Sequence, residues 1–213
     1  MRTIQVEIKG DTLLQHSPKS MLDIKPTTSK KNKVYDHKEE AEKSAYRSKD
    51  GSLFIPSQAI FSCILNGSAF KKIGRFSVKS YLAGNMRIEP SHEVPLLDNK
   101  GKPITEYEID LRTVVIQRKS RIVRARPMIQ NWSAKFNIIY NEQFITDDEI
   151  IKECLSDAGT RVGLLEYRPQ LSGSYGTFDI TTWKVLPKET ESNRRVSNRR
   201  VKLKQEKNKE VDE

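Results

Sequence analysis

The feature that most constrains the fold is an alternation of apolar and polar side chains in two segments far apart in the chain. Ile4, Val6 and Ile8 share one face near the start, and in residues 132–140 an apolar residue occupies every second position from Trp132 onwards. A period of two is typical of strands that bury one face of a sheet. We therefore expect both segments to be strands, with the apolar face of 132–140 in the core.

Two helical patterns accompany these strands. Pro56 opens the first helix and Gly67 ends it, as proline at a helix start and glycine after its last turn commonly do. The second helix is headed by a capping box from Thr146 to Glu149, and Gly159 is its expected end. Both helices carry apolar residues on one face, so both should pack on the sheet.

The remaining strands complete the order of elements. Short strands are expected at 52–55 and 86–88, two more around a polar turn near Lys119 within 106–127, and a last one at 177–186. The order strand, helix, two or three strands, helix, strand predicts an α+β fold. We expect a ferredoxin-like antiparallel sheet with two helices, plus insertions.

Composition divides the chain into one domain and two polar segments. A length of 213 residues favours a single domain, which we place at 1–186. Within it, 17–50 is a Lys-rich insertion or loop, in which only 36–46 has the composition of a short helix. Residues 187–213 form a charged, basic tail that is expected to be disordered.

The net charge of the chain indicates which class of binding partner to expect. The chain has 38 Lys and Arg against 28 Asp and Glu, a net charge of +10, and an isoelectric point near 9.5. Such a balance favours a polyanion such as nucleic acid, although a merely basic protein would look similar. The chain shows neither a long apolar run nor a signal peptide pattern, so we expect a cytoplasmic protein without a membrane partner.

The densest basic segment is 112–126, which holds six Lys and Arg residues and no acidic residue. On a strand, Arg124 and Arg126 point to the same side, about 7 Å apart, near the phosphate repeat of an extended single strand. The alternative is a solvated outer face of the sheet. We interpret the segment as a phosphate-binding surface.

A second candidate is the glycine-containing stretch 161–176. Glycines such as Gly173 and Gly176 permit close approach of a backbone, while Arg161 and Arg168 offer charge and the two tyrosines of the stretch offer stacking surfaces. Glycines also make ordinary turns. The interleaving of basic and aromatic residues is what favours binding.

At this point the sequence resembles a known superfamily. The segment LFIPSQAIFSCILNGSAF and the late glycine-rich stretch before a final strand are similar to elements of the RAMP superfamily of CRISPR backbone subunits. The resemblance implies an RRM-like sheet that holds single-stranded nucleic acid through backbone contacts around a basic groove. The expected nucleic-acid-binding residues are Lys71, Lys72, Arg75, Arg118, Arg121, Arg124, Arg126, Arg161, Tyr167, Arg168, Gly173, Tyr175 and Gly176.

The chain also resembles a family of uncharacterised phage and prophage proteins over roughly residues 1–186. The shared features are the Lys-rich insertion, the Asp-Gly and Ile-Pro entry to the first helix, and an ending like RARPMIQNWSAKFNIIY…AGTRVGLLEYRPQLSGSYGTFDI. This resemblance implies a role in phage DNA replication or recombination, in the cytoplasm of the host cell, with self-association along the strand as one possibility.

Catalysis finds little support in the sequence. His16, His37 and His92 lie in polar contexts without a partner pattern. The carboxylates of 147–149 sit at a helix start, where the helix dipole favours negative charge, and Cys63 and Cys154 fall among apolar residues. We expect no metal, no cofactor and no enzymatic activity. The alternatives are a protein-interaction module or inhibitor acting on a host factor, and a metal-free endoribonuclease.

Overall fold

The computed structural model describes residues 1–19, 36–69, 71–116 and 120–187. The strands are β1 (Arg2–Leu14), β2 (Phe54–Pro56), β3 (Lys72–Ile73), β4 (Phe76–Ser77), β5 (Met86–Glu89), β6 (Glu93–Leu97), β7 (Glu108–Ile116), β8 (Ser120–Tyr140) and β9 (Asp179–Val185). The α-helices with described bounds are α1 (His37–Ser44), α2 (Ser57–Gly67), α3 (Val78–Asn85) and α4 (Glu149–Asp157).

The main sheet has seven strands, all paired antiparallel, around the central pair β1 and β8. Its order is β2-β6-β8-β1-β9, and β5 and β7 also pair with β8. Ile4, Val6 and Ile8 are fully buried, as their alternation predicts. The strands β3 and β4 form a separate hairpin.

The expected strand 132–140 is part of a much longer one, and this corrects the sequence prediction. β8 runs without a break from Ser120 to Tyr140, whereas the sequence suggested separate strands, one within 106–127 and one at 132–140. Pairing with β1 begins only at Met128, so Pro127 falls where one edge of β8 has no strand partner. A proline lacks a backbone N–H, and an unpaired strand edge is where this is tolerated.

The aromatic face of this strand is core. Trp132, Phe136 and Tyr140 are each at most 3 % exposed, as we expected from their alternation. They pack in the same cluster as Ile60 of α2 and Leu155 of α4. None of these rings is available as a base platform.

Both ends of α4 differ from the prediction. Thr146 and Glu149 form no capping box: the N-cap is Asp148, without a side-chain cap bond, and the N–H of Glu149 donates to Asp147 Oδ1 at 3.0 Å. Gly159 does not end the helix either. The chain continues through a π-helical turn, Ala158–Val162, to Gly163.

The two helices of the predicted plan are α2 and α4, and α1 and α3 are additional. α1 lies in the Lys-rich insertion where a short helix was predicted, capped by Asp36 Oδ1, which accepts from Lys38 N at 2.9 Å. Ala41 and Ser44 are buried. Residues 20–35 of the insertion and 188–213 of the tail lie outside the described residues. No helix in the described ranges is long and apolar enough to cross a membrane.

Candidate nucleic-acid interface

The basic segment forms a long hairpin of β7 and the first part of β8. Arg112 lies opposite Arg124, and Asp110 lies opposite Arg126. The backbone of Arg121 pairs with Val115, while Arg118 and Lys119 lie outside the described residues. The segment is therefore a strand pair, as predicted.

Arg124 and Arg126 are held by acidic partners within the chain. Arg124 forms an ion pair with Glu40 of α1 at 2.7 Å, and Arg126 one with Glu166 at 3.5 Å. Their side chains are 33 % and 14 % exposed. The sequence suggested two free cations, because Glu40 lies 84 residues before Arg124 and Glu166 lies 40 residues after Arg126. These arginines tie α1 and the glycine-rich loop to β8.

The glycine-rich loop, residues 163–176, folds tightly on itself. Gly163 has a φ of +74°, and a Cβ at Gly173 or Gly176 would lie within 2.1 Å of backbone carbonyl oxygens of Tyr167 and Leu164. The N–H of Gly176 donates to Thr12 O of β1 at 2.8 Å. The loop itself therefore explains why Gly173 and Gly176 are glycines, without a nucleic-acid backbone close to them.

Arg112 joins this loop to the hairpin. Its guanidinium carbon lies 4.3 Å from the ring centre of Tyr167 and 4.7 Å from that of Tyr175. The same side chain pairs with Asp110 at 2.8 Å. Cation–π contacts with two rings hold the guanidinium in place. The two basic signals of the sequence thus meet in one surface, and Tyr167 remains 40 % exposed.

A cavity of about 230 Å³ lies between α2, the end of β1 and the loop. Its lining includes His16, Tyr46, Asn66, Glu166 and Arg168. Burial, followed by the charge of nearby Arg126, lowers the pKa of His16, whose Nδ1 has no hydrogen-bond partner among the described residues. Burial also raises the pKa of Tyr46. We call this space the loop cavity.

Sequence reasoning missed the loop cavity. His16 follows β1 in a polar segment, and the sequence around it contains no pattern that indicates a catalytic or binding partner. No local pattern joins it to Arg168, because the fold alone brings positions 16 and 168 to the same wall. The short β1 continuation, in which Gln15 N donates to Pro127 O at 2.9 Å, positions His16 there.

The third group of predicted residues lies on the β3–β4 hairpin and the end of α4. Lys71 pairs with Glu153 at 2.6 Å and Asp157 at 3.4 Å. Burial acts to lower the pKa of Lys71, but these carboxylates outweigh it and the pKa is raised. Arg161 lies 3.8 Å from the same Asp157 and is 69 % exposed.

Lys72 and Arg75 differ from the other predicted cations. Both are exposed, and neither forms an ion pair with any residue in the described part of the chain. Lys79, two residues after the hairpin, approaches Asn66 Oδ1 at 3.4 Å. Since Asn66 lines the loop cavity together with Arg168, Lys79 of α3 contacts a residue of the cavity wall.

The described residues show no candidate metal-binding centre. Within 1–19, 36–69, 71–116 and 120–187, no three His, Cys, Asp or Glu side chains are grouped to hold a metal ion. Asp148 Oδ2 accepts from Trp183 Nε1 at 3.3 Å. Cys63 and Cys154 are buried, and burial raises the pKa of Cys63 to about 12 and that of Cys154 to about 11.

Comparison with known proteins gives a fold but no family. No protein-family model matches the chain, and no curated protein sequence does. A chain in a cryo-EM structure of the type III-B Cmr-beta complex bound to cognate target RNA is similar, with a TM-score of 0.50 and 14 % identity. The match covers 87 % of this chain and 60 % of that one, so this protein spans less than two thirds of its neighbour. The likeness shows a shared mixed α/β fold with an antiparallel sheet.

Proposed function

We propose that this protein binds single-stranded nucleic acid on the surface shared by the loop cavity, the β3–β4 hairpin and the β7–β8 hairpin, without catalysing a reaction. The observation that carries the proposal is the set of accessible cations at this surface. Lys72 and Arg75 have no ion-pair partner among the described residues, and Arg161 is 69 % exposed. Lys72 and Arg75 are therefore free to contact phosphates, and most of the Arg161 side chain is open to them despite its contact with Asp157.

The fold supports the same proposal. We assign β9, β1, β8 and β5, in that spatial order, to a ferredoxin-like sheet, because α2 and α4 fall between its strands in the βαββαβ order. The similar Cmr-beta structure contains target RNA. RNA is therefore the first polymer to test, and a role in phage DNA replication or recombination is proposed only on the resemblance to phage proteins.

Binding can be tested by fluorescence anisotropy with labelled single-stranded RNA, single-stranded DNA and duplex DNA across a salt series. We expect a single strand to bind best, with affinity falling as salt rises. In single strands each phosphate contact contributes about 0.7 to the slope of log affinity against log salt. Lys72→Gln with Arg75→Gln should lower that slope by roughly 1 to 1.5.

The matched control is Lys100→Gln with Lys102→Gln, which removes two exposed lysines from the turn after β6. That variant has the same net charge as the first. An equal loss of affinity in both would mean that only total charge matters, and the site assignment would fail. If wild-type protein binds none of the three polymers at low salt, the protein-interaction alternative replaces the proposal.

One observation favours a second candidate, a metal-free endoribonuclease. His16 has a lowered pKa, so it is neutral near pH 7 and able to accept a proton. It shares the loop cavity with Arg168, which could stabilise negative charge on a phosphate. Incubation of the purified protein with labelled RNA in EDTA tests this candidate. If the RNA stays intact at high protein concentration, the endoribonuclease candidate is rejected. If wild-type protein cleaves the RNA and His16→Asn does not, the candidate is supported.

A further inference from the structure

Phe76 is the most exposed aromatic side chain in the described part of the protein. It lies on β4 of the small hairpin and is 64 % exposed. Its ring meets Tyr81 of α3 edge to face, with 6.0 Å between ring centres and an interplanar angle of 75°. A single exposed apolar residue is common on protein surfaces. The exposure of Phe76 is therefore not by itself evidence of a binding site.

The charge around Phe76 makes it unusual. From Gly67 to Ile88 the sequence contains five basic residues and no acidic one. Lys72, on β3, and Arg75, in the turn that precedes Phe76, are both exposed. An aromatic ring among unpaired cations combines the two elements of a single-strand binding surface, electrostatic attraction and stacking.

We propose that Phe76 stacks on an unpaired nucleobase while the flanking cations hold the phosphates of the same strand. This inference rests on the proposed function and names a contact within it. The base would lie on the part of the ring that Tyr81 leaves uncovered, since Phe76 is 64 % exposed despite that contact. Base–aromatic stacking tolerates any base, so no sequence preference is required.

The hairpin is fixed in place for such a contact. Lys71, at its start, is paired with Glu153 and Asp157 of α4, and Val78 N donates to Lys71 O at 3.0 Å across its base. Gly74, with a φ of +59°, supplies the turn. A held ring loses little freedom on binding, which favours affinity.

Only a few side-chain contacts separate the Phe76 hairpin from the loop cavity. Lys79, in the first turn of α3, reaches Asn66, which lines the loop cavity together with Arg168. A strand whose base rests on Phe76 could continue along these side chains. The hairpin would then be the first of several contacts along one strand.

Phe144 provides a matched control. It is similarly exposed, at 55 %, but residues 141–149 around it contain four acidic residues and no basic one. Phosphates would be repelled there. If exposure were sufficient for stacking, Phe144 would behave like Phe76.

The experiment compares two oligonucleotides of equal length, one with uracil bases and one abasic, by anisotropy at fixed salt. We expect Phe76→Ala to weaken binding of the uracil oligonucleotide by about tenfold and to leave binding of the abasic one unchanged. Phe76→Trp should restore affinity and show quenched fluorescence on binding. Phe144→Ala should bind both as wild type does, and the added tryptophan of Phe144→Trp should show no quenching.

Equal affinities of wild type and Phe76→Ala for the uracil oligonucleotide would overturn the inference while leaving the proposed function standing. The same would follow if Phe76→Ala weakened both oligonucleotides equally, since stacking cannot act on an abasic strand. Absence of wild-type binding to either would instead sink the proposed function. Sedimentation with anionic phosphatidylserine vesicles covers a different partner: Phe76-dependent binding to vesicles but not to oligonucleotides would assign the ring to a lipid surface.

Discussion

Gly67, at the end of α2, packs closely against the backbone of α4 and the turn that follows it. A Cβ at this position would lie 2.4 Å from Cys154 O and 2.8 Å from Ala158 N. Gly67→Ala therefore has to push the two helices apart, and we expect a loss of about 1–3 kcal/mol in the free energy of unfolding. Gly84→Ala in α3 is the control, because nothing lies within 4 Å of its Cβ. Denaturant unfolding should show that Gly84→Ala is neutral or stabilising by up to about 1 kcal/mol.

His16 should make stability depend on pH. Its pKa in the folded protein is lowered from 6.5 by burial and then by Arg126, so the unfolded chain takes up a proton more readily than the folded one. The free energy of unfolding is then expected to fall as pH drops below about 6.5. His16→Asn should flatten that fall. A pH series of thermal melts measures the fall, and parallel curves for wild type and His16→Asn would contradict the assignment.

At the scale of elements, Glu40 is the carboxylate that joins α1 to β8. Glu40 accepts from Arg124 at 2.7 Å and from the backbone N–H of Ala125 at 3.1 Å, and its side chain is only 15 % exposed. A helix of eight residues is marginal alone. Glu40→Ala should cost about 1–3 kcal/mol and expose α1 to limited proteolysis first.

The neighbouring Glu39 supplies a control of the same residue type. It pairs with Lys43 at 2.7 Å and is 49 % exposed, a setting in which an ion pair contributes less than about 1 kcal/mol. Proteolysis and unfolding of Glu39→Ala should resemble those of wild type. If both variants were cleaved equally fast within α1, the Glu40 contact with β8 would not be what holds the helix.

The elements were predictable where their signals are local. Alternation placed β1 and the buried face of β8, and proline and glycine gave the bounds of α2. The prediction was wrong where distant partners decide: the second strand expected within 106–127 and the strand expected at 132–140 are one strand, β8, and Gly159 did not end α4. A Cβ at Gly159 would lie 2.2 Å from Phe178 O, so close packing against the start of the last strand accounts for that glycine.

The site was predictable in composition and not in arrangement. The sequence identified most of its cations, but it could not show that Arg124, Arg126 and Lys71 are paired with distant carboxylates, since ion pairs between remote segments leave no local pattern. It also gave no sign of the loop cavity, or of Phe76 as a residue to examine. The cations able to bind a ligand are therefore fewer than the total number of cations, and only the fold shows which cations are held in ion pairs.

On the scale of the whole molecule, the segment 188–213 tests how much binding depends on charge outside the described sheet. It contains nine basic and six acidic residues, and the last described sheet bond, from Leu186 N to Thr3 O at 2.9 Å, lies before it. A chain ending at Pro187 therefore keeps every described strand. We expect its melting temperature to match that of the full chain, because no described contact is removed.

The same deletion should weaken nonspecific affinity and flatten its salt dependence, since basic segments release counterions from nucleic acid on binding. A full-length variant with Arg194, Arg195, Arg199 and Arg200 changed to Gln separates charge from length. It should reproduce the loss of salt dependence, while the abasic and uracil oligonucleotides keep their ratio of affinities, because that ratio depends on Phe76 in the folded domain. A melting temperature lowered by several degrees in the deletion would show instead that the tail contributes to the fold. Full affinity in both variants would place all phosphate contacts on the domain itself.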